Sequence, residues 1–301
     1  MKSLVVMVLA LWGILVLPDS IQADPLYVGV LEQYHDHWNN ENAVPDIRMA
    51  FTKSDSGWQA MPSNPSNISE IKSMLAAYPQ SVTWTVIYDG QILGKVLGTA
   101  TGDIAYGTLG KQNVASLDNP IPTITGGIKH FGQWIGEAKY RPLVLVTNQN
   151  HSDPEHWTRC DPTLDQTKLA LKEFRKTHPE LPYCNSIDDA EAKFRPFKDA
   201  EVLIDSTYRS KTGEVLLGLY LDPKLYKCDG LIDDLYQEQW YAIKGNDIRA
   251  IGENLTPVDA FDLDGGGSSE WIFSYGGYNK DGYVLFWNDF KQKAEYLWNY
   301  H

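Results

Sequence analysis

The chain has 301 residues, a formal net charge of −13, 43% hydrophobic and 22% charged residues, and an aromatic set that includes 10 Trp and 17 Tyr. That length allows one large all-β domain or two smaller units, and the aromatic excess suits pleated sheets better than helices. So acidic a chain repels phosphate backbones and anionic lipid, which argues against nucleic-acid and membrane-surface partners.

Residues 1 to 23 read as a secretory signal. Lys2 supplies the positive end, Leu4 to Leu17 is a short apolar run, and Ile21-Gln22-Ala23 offers a cleavage site before Asp24. The run falls short of the ~20 apolar residues that a membrane span needs. The expected mature protein, residues 24 to 301, is therefore exported to the periplasm or beyond as a single β-rich domain with no membrane span. Three cysteines remain, Cys160, Cys184 and Cys228, and in an oxidising compartment two of them pair. Cys184 with Cys228, or Cys160 with Cys184, are the pairings considered, and spacing does not choose between them. No His-rich signature surrounds any of the three, which argues against a catalytic thiol.

In chain order, Leu26 to Leu31 reads as a strand, followed by a loop from Tyr34 to Pro45. Ile47 to Phe51 and Trp58 to Met61 flank the hairpin signal Ser54-Asp55-Ser56-Gly57. Asn67 with Glu70 three residues on resembles a capping box opening a short helix that Pro79 ends. Val82 to Tyr88 alternates cleanly, and Asp89-Gly90 turns the chain into Ile92 to Leu97. Ile104 to Leu109 adds a further strand, and residues 113 to 140, rich in Gly, Pro, Thr and Asn, read as a long loop.

Pro142 to Thr147 is a continuous apolar strand. Asp161-Pro162 then opens a helix as cap and first-turn proline, with Leu164, Leu171 and Phe174 on one face and Pro179 as the stop. Residues 148 to 200 read as a helix-containing insertion on a β-scaffold. Residues 201 to 301 are the most regular β part, with strand pairs separated by Gly, Asn or Asp turns. Three candidate meanders, near 27–98, 201–253 and 258–300, have the size of propeller blades. The expected architecture is a small β-propeller-like array of antiparallel meanders, with a β-sandwich as the alternative.

The stretch with the strongest chemical content is Asp262 to Glu270, D-L-D-G-G-G-S-S-E, between two apolar runs. Carboxylates on a glycine-rich turn converge on one hard cation, because glycine lets the backbone wrap without steric cost. Residues 259 to 273, D-A-F-D-L-D-G-G-G-S-S-E-W-I-F, resemble the calcium loop of the FG-GAP and VCBS repeat family of β-propellers. That family's pattern is D-x-[DN]-G-D-G-x-x-[DE] between two strands of one blade. The resemblance implies a structural Ca²⁺ held by side-chain oxygens of Asp262, Asp264 and Glu270 and a backbone carbonyl of Ser268. The chain departs from the pattern at Gly266, where the family has a carboxylate. An EF-hand does not fit, since position 12 is Phe273 and a strand follows. The plain alternative is a tight glycine-rich turn with exposed acids and no ion.

Other constellations are weaker. His35 and His37 flank Asp36 and lack an identifiable third metal ligand; His151, Asp153, Glu155 and His156 form a polar cluster after a strand end. No G-x-S-x-G elbow or dinucleotide fingerprint occurs, and the glycines before Lys111 fail the phosphate-loop spacing because Gln112 follows. Trp84, Trp271 and Trp298 sit in alternating strand patterns and are expected in the core; Trp38, Trp134 and Trp157 are expected at the surface, where they can stack on a glycan or anchor a protein partner. The expectation is an exported binding or scaffold protein of unknown ligand with a structural calcium site. The alternative is a secreted hydrolase acting on a glycan or peptide through carboxylates or the histidine cluster.

Overall fold

A computed structural model describes residues 25–33, 45–65, 67–101, 109–117, 120–125, 140–184, 193–225, 238–277 and 279–299. The expected export signal, His35 and His37 with Trp38, most of the strand expected at 104–109, Trp134 and Cys228 lie outside those residues. The chain is mainly β, with antiparallel sheets and two α-helices among the described residues.

The N-terminal strands close on themselves. These are β1 (Leu26–Glu32), β2 (Asp46–Ser54), β3 (Gly57–Ala60), β4 (Ser81–Tyr88), β5 (Gln91–Ala100), β6 (Lys111–Ser116) and β7 (Leu143–Val146). Their order is β1-β7-β4-β5-β6-β2-β3, and β1 also pairs with β2, so six strands form an antiparallel ring with β3 attached to β2. One edge of β2 is shared: residues 46–48 pair with β6 and residues 51–54 with β3. The β4–β5 hairpin turns at Asp89 and Gly90, both at positive φ (47° and 70°), as its two-residue loop requires. Helix α1 (Ile68–Leu75) is capped by Asn67, whose Oδ1 accepts the Glu70 N–H at 3.0 Å.

A second sheet has the order β14-β13-β12-β11-β8. It contains β8 (Thr158–Arg159), β11 (Val202–Arg209), β12 (Val215–Leu221), β13 (Glu238–Lys244) and β14 (Asp247–Gly252). Helix α2 (Leu164–Thr177) covers one face of it, burying Ala170 and Phe174 against Leu217, Leu219, Tyr241 and Ile243. The cap of α2 is Thr163, not Asp161. Its hydroxyl accepts the Gln166 N–H while Gln166 Oε1 accepts the Thr163 N–H, and this reciprocal pair outcompetes a start two residues earlier. Leu164 is exposed and does not share the buried face with Phe174. The short strands β9 (Leu181–Tyr183) and β10 (Lys193–Arg195) pair beside it.

The last sheet is an up-and-down meander of β15 (Leu255–Phe261), β16 (Glu270–Gly277), β17 (Lys280–Trp287) and β18 (Gln292–Asn299). Alternate side chains leave opposite faces of a strand, and here both faces are covered. Ile272, Tyr283, Leu285, Tyr296 and Trp298 pack against the ring, while Trp271, Phe273, Val284 and Phe286 share a core with Leu216 and Trp240 of the five-stranded sheet. A buried polar clamp fixes the first of these contacts. Arg48 pairs with Glu32, the Tyr283 hydroxyl donates to Glu32 Oε1 at 2.8 Å, and the Arg48 guanidinium stacks 4.2 Å from the Trp298 ring centroid.

Two expectations about the chain's course change. Residues 27–98 are not a four-stranded unit: β7 inserts between β1 and β4, because its Leu-Val-Leu-Val run is apolar on both faces and is wholly buried. The loop expected over 113–140 begins as strand β6, which runs to Ser116. The layering of ring, four-stranded sheet and five-stranded sheet is compatible with the β-sandwich alternative; equal four-stranded blades are not shown among the described residues. Cys160 is a free, half-buried thiol, which rules out its pairing with Cys184, and Cys184 is disulfide-bonded. No described helix is long and apolar enough to cross a membrane.

Candidate metal centre

The ends of β15 and β16 place the acids. Phe261 and Glu270 are ladder partners, so Asp262, just after β15, and Glu270, which opens β16, stand on neighbouring strands before the loop is considered. The loop then folds back on itself. Gly265 and Gly267 take φ of 78° and 85°, a region that costs side-chain-bearing residues about 1–2 kcal/mol. Asp264 Oδ1 accepts the Gly266 N–H at 2.8 Å, and Asp262 Oδ2 accepts the Gly267 N–H at 3.0 Å. Leu263, fully buried in the ring-side core, anchors the turn. Its N–H donates to Glu270 Oε2 at 2.7 Å, and its carbonyl accepts the Asn148 amide at 2.8 Å.

Asp262, Asp264 and Glu270 are thereby brought together: each offers a carboxylate oxygen within 4.8 Å of those of the other two. A cation with Ca–O distances of about 2.3–2.6 Å spans about 4.6–5.2 Å between opposed ligands, so one ion fits among the three. The acids are not the exposed fringe of a plain turn. Asp262 is 8% and Glu270 5% exposed, and Asp262 Oδ1 is buried without a hydrogen-bond partner. A buried, unsatisfied carboxylate oxygen is costly, and a cation is the partner that would satisfy it. Burial, together with the Asp264 and Asp262 charges, pushes the Glu270 carboxyl up to about 8, against the opposing pull of the Leu263 N–H. The donor set is all oxygen, which suits Ca²⁺ or Mg²⁺ rather than a thiolate- or imidazole-seeking metal. Ser268 lies on the exposed stretch of the loop and lines a small neighbouring pocket with Glu155, Glu214 and Asp289.

Sequence reading missed three neighbours of the loop, each far away in the chain. Lys53, at the end of β2, places its ammonium 2.5 Å from Asp264 Oδ2. Asn148 holds Leu263, and Ser152 accepts the Asp262 N–H at 2.8 Å. Asp153 accepts the Ser269 hydroxyl at 2.6 Å and the N–H groups of Glu155 and Trp157 at 3.1 and 2.6 Å. Asp153 is therefore a turn-forming and loop-bracing carboxylate. His151 Nδ1 bonds the Gln149 carbonyl and His156 is exposed, so the cluster 151–156 does not converge as a ligand set. Trp157 is half-buried rather than a free surface ring, standing edge-on to Trp271 at 5.2 Å. Trp84, Trp271 and Trp298 are buried as expected.

A second carboxylate trio, Glu155, Glu214 and Asp289, also has oxygens within 4.8 Å of one another. It is more exposed than the first, and Lys244 reaches both Glu214 and Asp289. No protein-family model matches this chain, and neither a curated protein nor a solved structure matches it.

Proposed function

We propose that the loop from Asp262 to Glu270 is a structural divalent-cation site, with Ca²⁺ as the occupant, in an exported protein that binds or scaffolds a protein or glycan partner. The observation that carries the ion reading is Asp262 Oδ1, buried and unpartnered among three converging carboxylates. An ion there would neutralise acids that otherwise repel one another and would pin the turn joining β15 to β16. With only three carboxylates and an exposed flank at Gly265 to Ser268, water would complete the shell and binding would be weak to moderate.

The histidine cluster, the other machinery a hydrolase would need, is dispersed into turn contacts. A larger cleft of about 380 Å³ is lined by Gln239, residues 250–255 and side chains of β16 to β18.

The test is a thermal melt of the chelated protein with and without added CaCl₂. Calcium raises the melting temperature of the wild type by several degrees, and Asp262→Ala removes that rise. A wild-type melt indifferent to calcium would overturn the reading.

A further inference from the structure

We propose that Lys53 is the resident counter-ion of the acidic loop and sets its affinity for a divalent cation; the proposal rests on the reading of that loop as an ion site. Asp264 is the most accessible of the three acids, and Lys53 makes a 2.5 Å contact to its Oδ2. The lysine is not part of the loop and does not depend on it for its place. It sits in β2, paired with Trp58 across the β2–β3 hairpin, and its ammonium lies 5.1 Å from the Trp58 ring centroid. One sheet therefore delivers a positive charge to the carboxylates of another.

The charge count gives the consequence. With an ion bound and all three carboxylates ionised, they carry −3, and Lys53 adds +1, which leaves −2 for the cation. A dication among the three acids and an ammonium on Asp264 are both drawn to the same carboxylate and repel each other at a few ångströms. Each lowers the affinity of the other. In the ion-free protein the lysine also offsets carboxylate repulsion and keeps the loop assembled. Its side chain is 30% exposed on a flexible four-carbon stem, so it is free to withdraw when the ion enters. Lys53 thus makes the site weaker than its acids alone would make it, and less prone to unravel when empty.

Isothermal titration of the full chain with CaCl₂ tests this on the wild type, Lys53→Met, Lys53→Arg and Asp262→Asn. The expected result is that Lys53→Met binds calcium roughly tenfold more tightly than the wild type. Lys53→Arg, which keeps the charge, stays within about twofold of the wild type, and Asp262→Asn loses binding. The ion-free Lys53→Met protein also melts lower than the ion-free wild type, a sign opposite to its gain in affinity that a merely structural role would not produce. Should Lys53→Met fold poorly, Lys53→Gln carries the same comparison. Unchanged or weaker binding by the neutral variant, with wild-type binding intact and Asp262→Asn silent, would remove the role of Lys53 and leave the ion site standing. No calcium uptake by either the wild type or the neutral variant would remove both.

Discussion

The Ser269 hydroxyl donates to Asp153 Oδ1 at 2.6 Å, joining the far end of the acidic loop to a segment 116 positions earlier in the chain. The same carboxylate accepts the N–H groups of Glu155 and Trp157, and the adjoining Ser152 carbonyl accepts the Asp262 N–H. Residues 148–157 therefore act as a second wall of the candidate centre.

Asp153→Ala removes the acceptor for three donors, whereas Ser269→Ala removes one hydroxyl. The expected loss of unfolding free energy is about 2–3 kcal/mol for the first and about 1 kcal/mol for the second. Both variants also bind calcium less tightly than the wild type, because the loop has lost its brace. Urea unfolding and a calcium titration on the same preparations check this; equal stability losses in the two variants would contradict it.

Two buried carboxyls predict how the stability of the chelated protein depends on pH. Burial holds the Glu270 carboxyl at about 8 and the Asp259 carboxyl at about 6, both above their ordinary values of 4.5 and 3.8. A folded-state value raised above the unfolded one means that the stabilising contribution is complete below the unfolded value and is lost as pH rises through the folded one. In the presence of chelator, stability accordingly falls between about pH 4.5 and 8, by a few kcal/mol for Glu270. Saturating calcium, which favours the ionised carboxylate, flattens the upper part of that fall. Urea unfolding at pH 5 and pH 8, with chelator and with calcium, measures both effects; a chelated protein more stable at pH 8 would contradict the assignment.

The buried pair Arg48 and Glu32 predicts asymmetric losses. Arg48→Met leaves the Glu32 carboxylate buried beside Tyr283 with no cation, at a cost of about 3–5 kcal/mol. Tyr283→Phe removes only one donor and costs about 1 kcal/mol. The double change Arg48→Met with Glu32→Leu is less damaging than Arg48→Met alone, because the orphaned charge is gone. Denaturant unfolding of the three proteins decides the order.

Local signals in the sequence were enough for elements whose partners are near in the chain. Asp89-Gly90 fixes its hairpin because both positions need positive φ, and Asn67 caps its helix by accepting the N–H of Glu70, three residues on. The acid spacing at 262, 264 and 270 likewise identified the convergent trio, since ladder pairing at Phe261 and Glu270 is itself local. Strand β6 was hidden because Lys-Gln-Asn-Val-Ala-Ser carries little strand propensity; it is held by β5 and β2, and by Gln112 accepting the buried Trp84 indole N–H at 2.9 Å. Lys53 was hidden for a related reason. Nothing in its surroundings marks it, and its carboxylate partner lies 211 residues away.

A structure determined from crystals grown with CaCl₂ tests the central claim most directly. The account predicts one cation about 2.3–2.6 Å from an oxygen of each of Asp262, Asp264 and Glu270, with Asp262 Oδ1 among its ligands. Calcium-grown crystals in which no ion lies among these three carboxylates and Asp262 Oδ1 stays without a partner would contradict it.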